Sequence, residues 1–265
     1  MLSLRGILRL SLIVPATLVG IPLQALAVRL DSRAARLIPL VYHRFICRVL
    51  GIRIKVAGRP PNGREAALIL ANHISWLDIP VISTLTPLSF IAKAEVNGWP
   101  VVGLLARLQR TVFIDRTRRK ATAATNVEVA HRLRRGDAMV LFAEGTTGDG
   151  LRILPFRSAL VGAARDAVTD AEAPASEIVL RPLAITYVGR HGLPLGRNER
   201  PAIAWHGDME LAPHLAAVVS GAPFDVRITW GEPIAFNGGT DRKAATKAAE
   251  DVVRAAARAA RASGP

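Results

Sequence analysis

Cysteine occurs once in these 265 residues, at Cys47, which removes an internal disulfide and any thiolate-held metal cluster from consideration. Aromatic residues are 5% of the chain, which leaves few platforms for stacking bases, and no nucleic-acid-binding motif is visible. The chain has no G-x-S-x-G elbow, no P-loop and no G-x-G-x-x-G, which argues against a serine hydrolase and a nucleotide-dependent enzyme. Acidic residues are also short, 21 against 35 Lys and Arg, for a net charge of +14. That excess suits an anionic partner, and without nucleic-acid motifs an acidic lipid surface is the better match. Only five of the 35 basic residues are Lys, so an arginine-rich coding bias accounts for part of the excess.

Apolar residues, by contrast, are plentiful, at 50% of the chain. Residues 10–28 carry no formal charge over nineteen positions, with Arg5 and Arg9 before them and Arg29, Arg33 and Arg36 after. Nineteen apolar residues just reach across a bilayer. Pro15, Gly20 and Pro22 argue against a straight span, and a second apolar stretch follows over 34–52. The expectation is a membrane-associated helix pair dipping into or lying on one leaflet, with its arginines at the headgroups. Two other readings fit the same residues: a single spanning helix, and a cleaved signal peptide ending at Ala25-Leu26-Ala27. The lone cysteine favours the inner membrane with the rest of the chain facing the cytoplasm.

Beyond residue 60, short apolar runs alternate with helical patterns. Strands are expected at 67–71, 89–92, 111–114, 138–142, 178–187, 202–205 and 226–230. Helices are expected at 99–108, 119–134, 156–168, 211–219 and 240–262. This predicts an α/β fold, a single domain with a central β layer covered by helices, preceded by the N-terminal helix pair. The expected divisions are an anchoring segment at 1–51, a catalytic domain at 52–238 and a basic, Ala-rich helix at 239–265. Arg254, Arg258 and Arg261 share one face of that helix, which reads as a solvated face.

Four polar segments stand at the ends of the apolar runs. Asn72-His73-Ile74-Ser75-Trp76-Leu77-Asp78 offers an imidazole base and a carboxylate to orient it. Phe113-Ile114-Asp115-Arg116 ends on an arginine able to fork a phosphate or carboxylate; a local Asp–Arg surface pair is the ordinary reading. In Phe142-Ala143-Glu144-Gly145-Thr146-Thr147 the glycine lets backbone approach a ligand, although 145–150 also reads as a plain loop. Leu180-Arg181-Pro182-Leu183-Ala184 places a proline inside a strand, which implies an edge or a bulge. No metal site is indicated.

In this order and spacing the four segments resemble the membrane glycerolipid acyltransferases, the family that includes 1-acylglycerol-3-phosphate acyltransferase. The likeness covers about residues 52–235, and Pro155-Phe156-Arg157 is similar to a further family segment. The resemblance implies acyl transfer from a thioester to a lysolipid hydroxyl in the membrane bilayer. No cofactor is implied; acyl carrier protein (ACP), the favoured donor, or acyl-CoA would be the co-substrate. His73 would be the general base and Asp78 its orienting partner. Arg116 would bind the acceptor head group, and Glu144, Gly145 and Thr146 would form the acceptor pocket. Lys93 and Arg157 are further head-group contacts, although Lys93 equally fits a solvated strand end.

One position departs from the family pattern. Thr147 stands where many lysophosphatidate-acylating relatives have Arg, so either Arg116, Arg152 or Arg157 substitutes for it or the acceptor lacks a phosphate ester. The segment 144–160 and Trp205-His206-Gly207-Asp208-Met209-Glu210 resemble the subgroup that includes lyso-ornithine lipid acyltransferases. In that subgroup Asp208 and Glu210 could meet an ornithine ammonium, or they could simply cap the following helix. The expectation is therefore lyso-ornithine lipid as acceptor, with lysophosphatidate as the second candidate.

Overall fold

The computed structural model describes residues 2–61, 65–115, 119–162 and 178–265. Two helices lead, α1 (Leu4–Arg29) and α2 (Ala34–Leu50). The next strands are β1 (Arg53–Ala57), β2 (Ala67–Ala71), β3 (Ser89–Lys93), β4 (Val112–Ile114) and β5 (Ala138–Phe142). Among them lie α3 (Asp78–Ser83), α4 (Ala94–Asn97), α5 (Val102–Leu108) and α6 (Arg119–Arg134). After β6 (Ile178–Arg190) and β7 (Leu193–Pro194) come α7 (Leu211–Ser220), β8 (Phe224–Trp230), β9 (Ile234–Phe236) and α8 (Arg242–Ser263).

Among the described residues all the strands belong to one mixed sheet, ordered β1-β8-β6-β2-β5-β3-β4, with β7 and β9 also paired to β6. The run β6-β2-β5-β3-β4 is parallel, whereas β8 runs antiparallel to β6. Alternation along β2 divides the core. Leu68 and Leu70 face α6 and α8, through Val129, Leu133, Ala249 and Val253. Ile69 and Ala71 face the other side, where Cys47, Val81, Ile82, Val218 and Val219 from α2, α3 and α7 cover the sheet. A sheet buried on both faces needs the near-continuous apolar runs that the sequence shows.

Four expectations change. Residues 202–205 form no strand; a 3-10 turn at Arg200–Ala202 runs into a loop. The 99–108 helix begins only at Val102, as α5, because Val101 takes a positive φ of 61° that no helix accommodates. In 156–168 the described residues, 156–162, hold only a 3-10 turn, Ser158–Val161, and 163–168 lie outside the described residues. Pro182 sits in an interior strand instead of at an edge. Its missing N–H faces the gap where β6 passes from β9, paired as far as Leu180, to β8, paired from Leu183. Its carbonyl still accepts from Gly231 N at 2.9 Å. No ladder bond is therefore lost.

The helix pair is fastened to the domain along its length. α1 continues through Pro15 and Pro22. At its start, Ser3 donates twice to Ser220, from its N–H to Oγ and from its hydroxyl to the carbonyl oxygen. Further along, Gln24 Nε2 donates to Ala35 O and Leu108 O, at 2.9 and 2.8 Å. Arg9 is not at a headgroup as expected. Its guanidinium donates to Val219 O, Gly221 O and Leu50 O, filling the carbonyls that the ends of α7 and α2 leave open. Arg36 likewise turns inward and pairs with Asp137 at 3.0 Å. The outward face of α1 is apolar, with Leu4, Leu8, Leu12, Leu18, Val19 and Leu26 all exposed.

Candidate active site

The parallel strands β2, β5, β3 and β4 end along one edge, and the polar segments follow directly from those ends. In open α/β sheets this carboxyl edge is where ligands bind. Asn72 closes the β2–β6 ladder with its side chain: Nδ2 donates to Ile185 O at 3.0 Å, and Ile185 N donates to Oδ1 at 2.8 Å. The chain then turns, burying Ile74 and Leu77 in the core while His73 stays part-exposed.

Asp78 opens α3 and reaches back over this turn. Its Oδ2 accepts from His73 Nδ1 at 2.9 Å, from Ile74 N at 2.6 Å and from Ser75 N at 2.9 Å. Its Oδ1 accepts from Tyr187 Oη at 2.9 Å. Among the described residues four donors thus surround a fully buried carboxyl group, and both of its oxygens accept. An acceptor-only oxygen requires the proton on His73 Nδ1, so the lone pair lies on Nε2. Among the described residues Nε2 has no hydrogen-bond partner, and the side chain keeps 17% exposure. The imidazole stacks on Phe142, with centroids 3.7 Å apart and planes 9° from parallel, so its plane is fixed as well as its tautomer. Ser75 contributes its N–H; its buried hydroxyl has no partner among the described residues.

Glu144 is turned inward. Its Oε1 accepts from His73 N at 3.0 Å and its Oε2 from Leu154 N at 3.1 Å, with 2% of the residue exposed. Through these two bonds it holds the backbone of the His73 turn and of its own loop together. Burial pushes its carboxyl up to about 7, against the lowering effect of those two N–H bonds. Gly145, at φ 74°, makes the turn that a β-carbon would strain. Gly148 N then donates to His73 O at 2.8 Å, joining the two loops directly.

The C-terminal helix supports this loop from below. Arg261 donates to Leu151 O at 2.7 Å and Gly150 O at 3.1 Å, and Glu250 accepts from Phe156 N at 2.8 Å. Arg254 pairs with Glu250 at 2.8 Å. The arginine face expected to be solvated is thus partly used inside the molecule, and of the three arginines Arg258 is the exposed one.

The other expected residues fall as follows. Lys93 ends β3 on the same edge and is exposed. Thr146 and Arg157 are exposed beside the Glu144 loop, and Arg157 N is anchored to Ala143 O at 2.8 Å. Arg116 lies outside the described residues. Trp205 N donates to Ile74 O at 2.9 Å, so the segment carrying Asp208 and Glu210 is moored to the His73 turn. Glu210 is the N-cap residue of α7, yet its side chain makes no capping bond, and both acidic side chains are exposed. Tyr187 was not anticipated from the sequence. Its one available signal is a tyrosine inside an apolar strand, where a buried hydroxyl needs a partner.

Residues 53–186 match the family model described as Acyltransferase. The chain is 45% identical over 254 residues to a lyso-ornithine lipid O-acyltransferase of Brucella abortus, covering 94% of each chain. It is 41% identical to the protein of the same name from Rhizobium meliloti, covering 88% of this chain and 78% of that one. A 1-acyl-sn-glycerol-3-phosphate acyltransferase of Neisseria meningitidis is 40% identical over 124 residues, 47% of this chain and 49% of the relative. The crystal structure of a 1-acyl-sn-glycerophosphate (LPA) acyltransferase, PlsC, from Thermotoga maritima shares the fold, with a TM-score of 0.59 at 22% identity. That alignment covers 83% of this chain and 77% of the other.

Proposed function

The chain belongs to the Acyltransferase family and is an enzyme of acyl transfer to a lysolipid, and on that premise we propose that its acceptor is lyso-ornithine lipid, its product ornithine lipid and its donor acyl-ACP. The observation that carries the chemistry is the His73–Asp78 pair, with the Nε2 lone pair left open at the carboxyl edge of the sheet.

In this mechanism His73 Nε2 removes the proton of the acceptor hydroxyl as the oxygen bonds to the thioester carbonyl carbon. Asp78 stabilises the imidazolium that forms. Collapse of the tetrahedral species breaks the C–S bond, and His73 returns its proton to the departing thiolate. The acyl group passes directly to the acceptor, with no enzyme nucleophile. Head-group binding falls to Arg116, Thr146, Lys93 and Arg157, around the pocket that Glu144 and Gly145 shape. Asp208 and Glu210, uncapped and moored beside the His73 turn, meet the ornithine ammonium. Thr147 agrees with an acceptor that has no phosphate. An anchor lying on the cytoplasmic face of the inner membrane would bring the lysolipid to this edge, and the exposed leucines of α1 suit that arrangement. The net charge of +14 favours acidic ACP electrostatically.

Lysophosphatidate is the second reading, supported by the Neisseria relatives and by exposed Arg152 and Arg157 near the loop. The test offers both acceptors, with labelled acyl-ACP, to membranes containing the protein or its His73→Ala variant. His73-dependent label is expected chiefly in ornithine lipid, with activity falling about 10²–10⁴-fold in the variant. Label chiefly in phosphatidate would reverse the acceptor assignment.

A further inference from the structure

Asp78 has a second buried partner beyond His73. Tyr187, in the middle of β6, is 4% exposed and lies 109 positions further along the chain. Its ring packs edge-on against Phe224 of β8, at 6.3 Å and 86°, and its hydroxyl donates to Asp78 Oδ1 at 2.9 Å. Among the described residues the two carboxylate oxygens are therefore divided, Oδ2 serving the His73 turn and Oδ1 serving the tyrosine.

We propose that Tyr187 is a positioning residue for acyl transfer, holding Asp78 in the plane that serves His73 and sharing the charge that its carboxylate presents to the imidazole. This rests on the assignment of His73 as general base. Oδ2 is held at one point by three donors, and the Tyr187 bond to Oδ1 adds a second fixed point that resists rotation about Cβ–Cγ. Charge shared with a phenol O–H is charge withheld from the imidazole N–H. Without the hydroxyl the carboxylate pulls harder on Nδ1–H, the imidazolium is favoured, and Nε2 keeps its proton to higher pH.

The other ionisable groups near Tyr187 and Asp78 do not duplicate this role. Burial holds the Cys47 thiol, on α2, up at about 12, so it stays neutral from pH 5 to 9, and Glu144, from the loop after β5, adds negative charge when ionised. Arg254, on α8, acts on Glu144. Burial, followed by the neighbouring carboxylate, holds the Tyr187 phenol well above its ordinary range, so it remains a donor wherever the enzyme works.

The test compares the full-length wild type with Tyr187→Phe and with Phe224→Leu, a variant that loosens the same ring without touching the hydroxyl. With wild-type activity and its loss in His73→Ala established first, kcat and KM for the acceptor are measured from about pH 5 to 9. Tyr187→Phe is expected to lower kcat at neutral pH about tenfold, the worth of one hydrogen bond to a charged group, with KM unchanged. The rising limb of kcat against pH should move upward by about half a unit or more. Phe224→Leu should lower the melting temperature and leave that limb in place. Wild-type kcat and limb in Tyr187→Phe, a change confined to KM, or an equal limb shift in Phe224→Leu would each overturn the proposal. Absence of His73-dependent transfer in the wild type would instead remove the premise.

Discussion

The turn at 72–78 and helix α1 are built on opposite plans. In the turn, apolar Ile74 and Leu77 point inward and a carboxylate with four donors stabilises the bend, which leaves one imidazole nitrogen open to solvent. In α1 the polar side chains Ser3, Arg9 and Gln24 point inward to backbone carbonyls and to Ser220, and the leucines point out. The turn depends on where single atoms lie; the outward face of α1 depends on area. A one-atom change should therefore disable the first and barely affect the second, while the second yields only to loss of apolar surface.

The largest effect should follow Asp78→Asn. The amide cannot accept everything that Oδ1 and Oδ2 now accept, and it offers His73 the wrong partner. A fall in kcat of about 10³–10⁴-fold is expected, with vesicle binding unchanged in a sedimentation assay. Comparable binding loss in that variant would break the contrast between the two regions.

The converse variant is Leu18→Ser combined with Val19→Ser, at positions 65% and 62% exposed. Burial of each such side chain in lipid contributes roughly 1.5–3 kcal/mol, so partition onto anionic vesicles should weaken at least about tenfold. Turnover of detergent-dispersed acceptor should stay at the wild-type level. If turnover fell equally with binding, the helix face would be acting on the site itself.

The smallest and sharpest effect concerns Glu144. Its carboxyl is raised from 4.5 to about 7 by burial, so the folded state favours the protonated form. Stability from this group is complete below pH 4.5 and is lost as pH rises through about 7. Glutamine does not titrate. The melting temperature of the wild type relative to Glu144→Gln should therefore fall by a few degrees between pH 5 and 8, and a pH-independent difference would mean that the two N–H bonds dominate.

Much of the architecture was legible because it is local. Alternation and apolar runs marked β2 and β5 to the residue, since a sheet covered on both faces leaves a continuous hydrophobic record. The short strands β1, β7 and β9 left no such record: β1 is largely exposed and β7 entirely so, while β9 has only three residues. Residues 202–205 looked like a strand because they are apolar, but Ile203 and Ala204 are buried in the core as turn and loop residues.

The sequence by itself determined the acyltransferase signature, the His73–Asp78 pair five residues apart, and the apolar N-terminal helix. Each of these rests on neighbours in the chain. Tertiary structure alone decided that Tyr187 would meet Asp78, that Ile185 would seal Asn72, that Pro182 would fall at the switch between β9 and β8, and that Arg9 and Arg261 would fill carbonyls instead of facing lipid or water. The reason is physical. A hydrogen-bond partner more than a hundred residues distant is chosen by the order of strands in the sheet, and no local pattern of charge or hydrophobicity specifies that order.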